Sequence, residues 1–188
     1  MPFLKSGWNI VIEHPWEWIV VTVFYLYLLM IGIGILFLPN MIRISRKAAD
    51  QGVPPSVSDL FNFDHFADDA LAIIVQKIAV VVGLCFCFIG APILTILLYW
   101  TAHLAADGLY EPIDCLKASF AHAKSNAFNI LMNVVVIWVL VHVCVFFTCG
   151  VGMIIGMPVF IVAIERFYRS ECAAIVAAAD AAGIPRKA

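Results

Sequence analysis

A long hydrophobic block occurs twice in this chain. It runs from Leu71 to Ala106, broken at Gly90-Ala91-Pro92, and from Ser125 to Phe167, punctuated at Gly150-Val151-Gly152 and Gly156-Met157-Pro158. As one continuous helix at about 1.5 Å per residue, either block measures roughly 50 Å or more. A bilayer hydrocarbon core is only roughly 30 Å thick, so two crossings per block fit better than one. Composition points the same way: 64% hydrophobic and 13% charged residues stand far from the usual soluble balance of about half apolar and a quarter charged. The runs Trp18 to Ile42, Ile78 to Ala106 and Ser125 to Ile164 contain no Asp, Glu, Lys or Arg.

These features predict an all-α fold, a polytopic transmembrane helical bundle of about five helices in a single membrane domain. The expected helices are Trp16 to Leu38, Asp69 to Phe88, Pro92 to Ala106, Phe128 to Phe147 and Val151 to Arg169. An anchor helix and basic connection (1–55) precede hairpin unit one (56–108), hairpin unit two (109–170) and a tail (171–188). Glu13 and Glu17 precede the first apolar run, where a cleaved signal carries positive charge, so that run is expected to stay as an anchor.

Charge placement orients the expected bundle. With the N-terminus outside, every basic residue except Lys5 falls on or near the cytoplasmic side: Arg43, Arg46, Lys47, Lys77, Lys117, Lys124, Arg166, Arg169, Arg186 and Lys187. That is the pattern of the positive-inside rule. The expected localisation is therefore the inner (cytoplasmic) membrane, multi-pass, with a cytoplasmic C-terminus. A three-helix arrangement of long kinked blocks places Lys117 and Lys124 outside and ranks second.

A shorter amphipathic segment precedes each block. In the first, Ser56 to Asp59 offers capping oxygens, and Leu60, Phe63, Phe66 and Ala67 follow helical spacing. In the second, Ile113, Leu116, Phe120 and Ala123 form one stripe. Trp8, Trp16 and Trp18 around the first run, with Leu60, Phe63, Phe66, Ile113, Leu116 and Phe120, are the candidate membrane-interface set; the alternative is packing against the bundle. Gly90, Pro92, Gly150 and Gly152 are candidate turn residues, and Pro158 is either a structural kink or a hinge inside the last helix. Each unit thus runs amphipathic segment, long helix, Gly-containing turn and returning helix, at a period in the low sixties of residues.

The residues Ser58-Asp59-Leu60-Phe61, Asp107-Gly108, Pro112 to Phe120, the Cys/Gly/Pro-punctuated final pair and Tyr168-Arg169 carry a resemblance over roughly residues 56 to 169. In these the chain resembles a broad, poorly characterised group of bacterial integral-membrane proteins, similar to the membrane domain of glycerophosphoryl diester phosphodiesterases. The resemblance implies a membrane domain and carries over no active-site residue.

The polar residues offer little chemistry. His103 and His142 are expected at different depths of their helices, which makes them a poor axial pair for haem. Cys85 and Cys87 approach one turn and Cys144 and Cys149 the other, so a disulfide competes with buried free thiols. Asp59, Asp64, His65, Asp68 and Asp69 lack the glycine and terminal glutamate of an EF-hand loop and read as a solvated face. No phosphate loop, nucleophile elbow or His-Glu-x-x-His appears. No enzyme, no cofactor and no metal are expected. The net charge of −2 gives no reason to expect a nucleic-acid partner. The leading expectation is a non-catalytic integral membrane scaffold or accessory subunit, whose partners are lipids and other integral membrane proteins in a hetero-complex or homo-oligomer. A small oligomeric transporter, channel or lipid-handling membrane protein is the alternative.

Overall fold

The computed structural model describes residues 2–85, 90–147 and 152–187, and these are helical with short connections. The helices are α1 (Pro2–Glu13), α2 (Pro15–Met30), α3 (Leu38–Gln51), α4 (Val57–Leu60), α5 (Phe66–Cys85), α6 (Gly90–Leu97), α7 (Thr101–Asp107), α8 (Pro112–Phe147) and α9 (Gly152–Ala181). A 3-10 turn at Gly34–Phe37 leads into α3.

Helix α2 stops well short of Leu38. Gly32 takes φ +85°, its N–H bonds to Leu29 O at 3.0 Å, and the Ile33 N–H reaches back to Leu28 O at 3.1 Å. This paired closure is a Schellman motif, in which glycine adopts the left-handed angle without steric cost. The resulting 16-residue helix spans about 24 Å. The first expected returning helix, Pro92 to Ala106, is also divided, into α6 of 8 residues and α7 of 7. Helix α5 carries Asp68, Asp69 and Lys77, and α9 carries Glu165, Arg166 and Arg169. Polar residues His122, Lys124, Ser125, Asn126, Asn129 and Asn133 follow one another along α8.

These lengths and charges correct the expected polytopic transmembrane bundle: among the described residues, no helix is long and apolar enough to cross a membrane. The same finding removes the support for a multi-pass inner-membrane location with an outside N-terminus. The expected spans Trp16 to Leu38 and Pro92 to Ala106 each run across a helix break, whereas crossing requires a single uninterrupted apolar helix.

The amphipathic segments also differ from expectation. Ser56 caps α4, its hydroxyl accepting from the Ser58 N–H at 3.3 Å, but α4 ends after four residues. The Asn40 side chain donates to Leu60 O at 2.9 Å and to Asn62 O at 2.8 Å, satisfying carbonyls that a longer helix would have used itself. The second segment has no boundary behind it and is the first part of the 36-residue α8.

The chain forms two compact units. One comprises residues 1–62 and 133–169, the other residues 63–132 and 170–188. In the first, α2 buries Trp18, Val21, Tyr25 and Leu28, and α3 buries Met41, Ile42, Ile44 and Ala48. The same unit buries Val162, Ala163 and Phe167 of α9. Gly7 of α1 lies so close to α9 that a Cβ there would stand 2.8 Å from Val159 O.

In the second unit, the break between α6 and α7 is satisfied by neighbouring side chains. Ser119 Oγ accepts from the Trp100 N–H at 3.1 Å and donates to Leu97 O at 3.0 Å. Gln76 Nε2 donates to Leu98 O at 2.7 Å. Buried backbone groups left over where a helix breaks need such partners, and Trp100, Ser119 and Gln76 are all buried.

Candidate functional site

Three places in the fold concentrate chemistry. The first is an ion cluster between α3 and α9. Arg46 Nε donates to Glu165 Oε1 at 2.8 Å, and Arg169 Nε, one turn along α9, donates to the same oxygen at 3.1 Å. Arg169 also binds Asp50 through Nη2, while Arg166 Nη2 donates to Ala49 O at 2.9 Å. Glu165 is 1% exposed. Its burial pushes the carboxyl above its ordinary range, against the opposing pull of the Arg46 and Arg169 guanidiniums. Three guanidiniums facing two carboxylates tie two helices together. These bonds cross-link α3 to α9.

The second is a cavity of about 70 Å³ in the other unit, lined by His65, Asp68, Asp69, Tyr110, Cys115 and Lys187 among others. Cys115 is buried, and its thiol donates to Tyr110 O at 3.7 Å. Burial, with the charges of Asp69, Asp114 and Asp107 adding to it, pushes that thiol up to about 12. A thiol so held stays protonated near neutral pH and is a weak nucleophile. Among the described residues, no three His, Cys, Asp or Glu side chains converge as a metal site. In the acidic stretch, Asp59 pairs with Lys47 at 2.8 Å and Asp68 with Lys187 at 2.7 Å.

The third place is an exposed apolar face. Along α2 the residues Trp16, Val20, Val23, Phe24, Tyr27 and Met30 turn away from the core, with Trp16 75% and Met30 88% exposed. Their spacing of three and four residues places them on one side of the helix. Trp8 and Ile12 of α1 are also half or more exposed.

The residues expected at an interface therefore divide. Trp8, Trp16, Phe63, Ile113 and Phe120 are exposed, whereas Trp18 and Leu60 are fully buried; Phe66 and Leu116 are intermediate. Gly90 opens α6 with Pro92 in its first turn. Gly152 opens α9 and Pro158 lies inside it. Gly150 and the side chains of Cys85, Cys87, Cys144, Cys149 and His142 lie outside the described residues. Cys115 and Cys172 are free thiols. His103 is buried, its ring 5.4 Å from that of Trp100.

Sequence reading missed the Glu165 cluster and the cavity. The Glu165–Arg169 spacing of four residues was a visible helical pair, but nothing local announced Arg46, 119 residues away. Searched against known proteins, the chain matches no family model, no curated protein and no solved structure.

Proposed function

We propose that this chain is a non-catalytic scaffold or accessory subunit that associates with a larger protein complex. The observation that carries this reading is the aromatic-rich face of α2, where Trp16, Phe24, Tyr27 and Met30 stand exposed on a helix whose opposite side is anchored in the core. Large contiguous apolar surfaces on a folded protein mark sites of association, and aromatic residues and Met are enriched at such interfaces. The ion cluster supports the same reading, because it holds α3 and α9 in register.

The test is native purification of the full chain with mass-spectrometric identification of what accompanies it, for the unaltered protein and for Trp16→Asp and Tyr27→Asp. The unaltered chain is expected to copurify stoichiometrically with a larger assembly. Each substitution is expected to release it while helical circular dichroism stays unchanged. Recovery of the unaltered chain only as a free monomer would overturn the reading.

A further inference from the structure

Helix α9 closes with a second Schellman motif. Gly183 takes φ +70°, its N–H bonds to Asp180 O at 3.0 Å, and the Ile184 N–H bonds to Ala179 O at 3.1 Å. Glycine is the residue that reverses the chain here at no steric cost, and Ile184 is 9% exposed, so the reversal is anchored by a buried side chain. The chain that follows is fastened at several further points. The Lys187 N–H donates to Leu109 O at 2.8 Å. Its ammonium lies 2.7 Å from Asp68 Oδ2 and 3.6 Å from Glu111 Oε1, and the Arg186 guanidinium pairs with Asp180. Lys187 is at the same time part of the lining of the cavity that contains Asp69, Tyr110 and Cys115.

We infer that residues 184–187 form a releasable strap that closes this cavity, latched by the ammonium of Lys187 on Asp68 and Glu111. The strengths of the fastenings are what make it releasable. Lys187, Asp68 and Glu111 side chains are 36%, 50% and 58% exposed. Exposed ion pairs of this kind shift an equilibrium by only about two- to five-fold each, and salt screens them. The buried Ile184, the Lys187 N–H bond to Leu109 O and the exposed Arg186 guanidinium on Asp180 and beside Tyr110 hold the remainder. Such a segment opens locally while the helices around it stay folded, as weakly packed segments do.

The cavity carries its own reporter, since Cys115 lines it and is 1% exposed. The full chain is treated with methyl methanethiosulfonate. The Cys115 thiolate attacks the sulfenyl sulfur, a mixed disulfide forms, methanesulfinate leaves and the thiol proton goes to solvent. Labelling at Cys115 and Cys172 is followed separately by peptide mass spectrometry in the unaltered chain, Asp68→Asn, Lys187→Gln and Lys117→Gln. The last removes an exposed pair with Asp114 that has no part in the strap. Labelling of Cys115 is expected to rise about two- to five-fold in Asp68→Asn and Lys187→Gln. It is expected to hold steady in Lys117→Gln, with Cys172 unchanged throughout.

High salt is expected to raise the Cys115 rate in the unaltered chain and to add less in Asp68→Asn. Measurable but equal Cys115 rates in all four proteins, or an equal rise in Lys117→Gln, overturn the strap. Should Cys115 resist the reagent in every variant, amide hydrogen exchange over 184–187 decides. Faster exchange there in Asp68→Asn supports the strap, and unchanged exchange overturns it.

Discussion

Arg46 and Glu165, separated by 119 residues of chain, meet through a 2.8 Å bond between Nε and Oε1 in which the carboxylate is 1% exposed and the arginine 21%. Burying a carboxylate is costly unless it is paired and hydrogen-bonded, and removing one partner of a buried pair leaves an uncompensated charge at a cost of about 3–5 kcal/mol. Arg169 remains on the same oxygen, so Arg46→Met is expected at the lower end of that range, about 3 kcal/mol. Urea unfolding of the two proteins checks it. The double substitution Arg46→Met with Glu165→Met is expected to recover part of the loss, because no carboxylate is then stranded. A double variant no more stable than Arg46→Met removes the argument.

His122 supplies a pH dependence. Its ring is 1% exposed with the Glu171 carboxylate 3.4 Å away, and burial lowers its basicity below the ordinary 6.5 despite the opposing pull of Glu171. The unfolded chain therefore takes up a proton at this position before the folded chain does. The stability tied to neutral His122 is fully present above pH 6.5 and is lost as the pH falls through and below that value. Melting temperatures measured from neutral to mildly acidic pH are expected to fall more steeply in the unaltered protein than in His122→Gln. Parallel profiles would show that His122 does not titrate differently on folding.

Ser119 closes the break between α6 and α7 by serving two backbone groups at once. Ser119→Ala leaves the Trp100 N–H and the Leu97 carbonyl without that partner, and each buried unsatisfied group costs about 1–3 kcal/mol. Gln76→Leu removes the bond to Leu98 O and is expected to cost about 1–3 kcal/mol as well. The pair act on one turn, so their effects are expected to be non-additive in a double-mutant cycle. Strict additivity would mean the two side chains support the break independently.

Asn40 distinguishes an amide from a carboxylate. Its Nδ2 donates to Leu60 O and Asn62 O, while its Oδ1 accepts from Arg43 Nη1 at 2.9 Å. Asn40→Ala loses these bonds. Asn40→Asp keeps the shape but sets a carboxylate oxygen against two carbonyl oxygens, and is expected to be at least as destabilising as Asn40→Ala. Thermal unfolding of both variants provides the comparison, and an Asp variant close to the unaltered chain would contradict the assigned donor.

Gly7 is constrained by proximity. A Cβ at this position meets Val159 O at 2.8 Å and Ala163 N at 3.3 Å, both backbone atoms that cannot swing aside. Gly7→Ala is expected to cost about 1–3 kcal/mol through overpacking, read as a lowered denaturation midpoint, although alanine is the better helix former.

Local signals carried some of the architecture. Ser56 caps a helix as its position before Val57-Ser58-Asp59 indicates, and Gly90 and Pro92 open a helix in the order that helix starts favour. Gly32-Ile33-Gly34 held the signal that ends α2, masked by the apolar residues on both sides. Helical content followed from spacing and from the rarity of breakers inside the runs. Span length did not, because apolar residues continue on both sides of the breaks that end α2 at Met30 and separate α6 from α7.

What the sequence determined by itself is the helical character of the chain, its apolar excess and the helix starts at Ser56 and at Gly90 with Pro92, since these depend on backbone sterics and neighbouring residues. Only the tertiary structure decided which face of α2 is core. The helix is apolar almost all the way round, and no polar stripe tells Trp18, fully buried, from Trp16, largely exposed. It likewise decided that Arg46 meets Glu165 and that Lys187 meets Asp68, pairs 119 residues apart in each case. Contacts of that separation arise from packing whole helices together, and no local pattern in the chain encodes them.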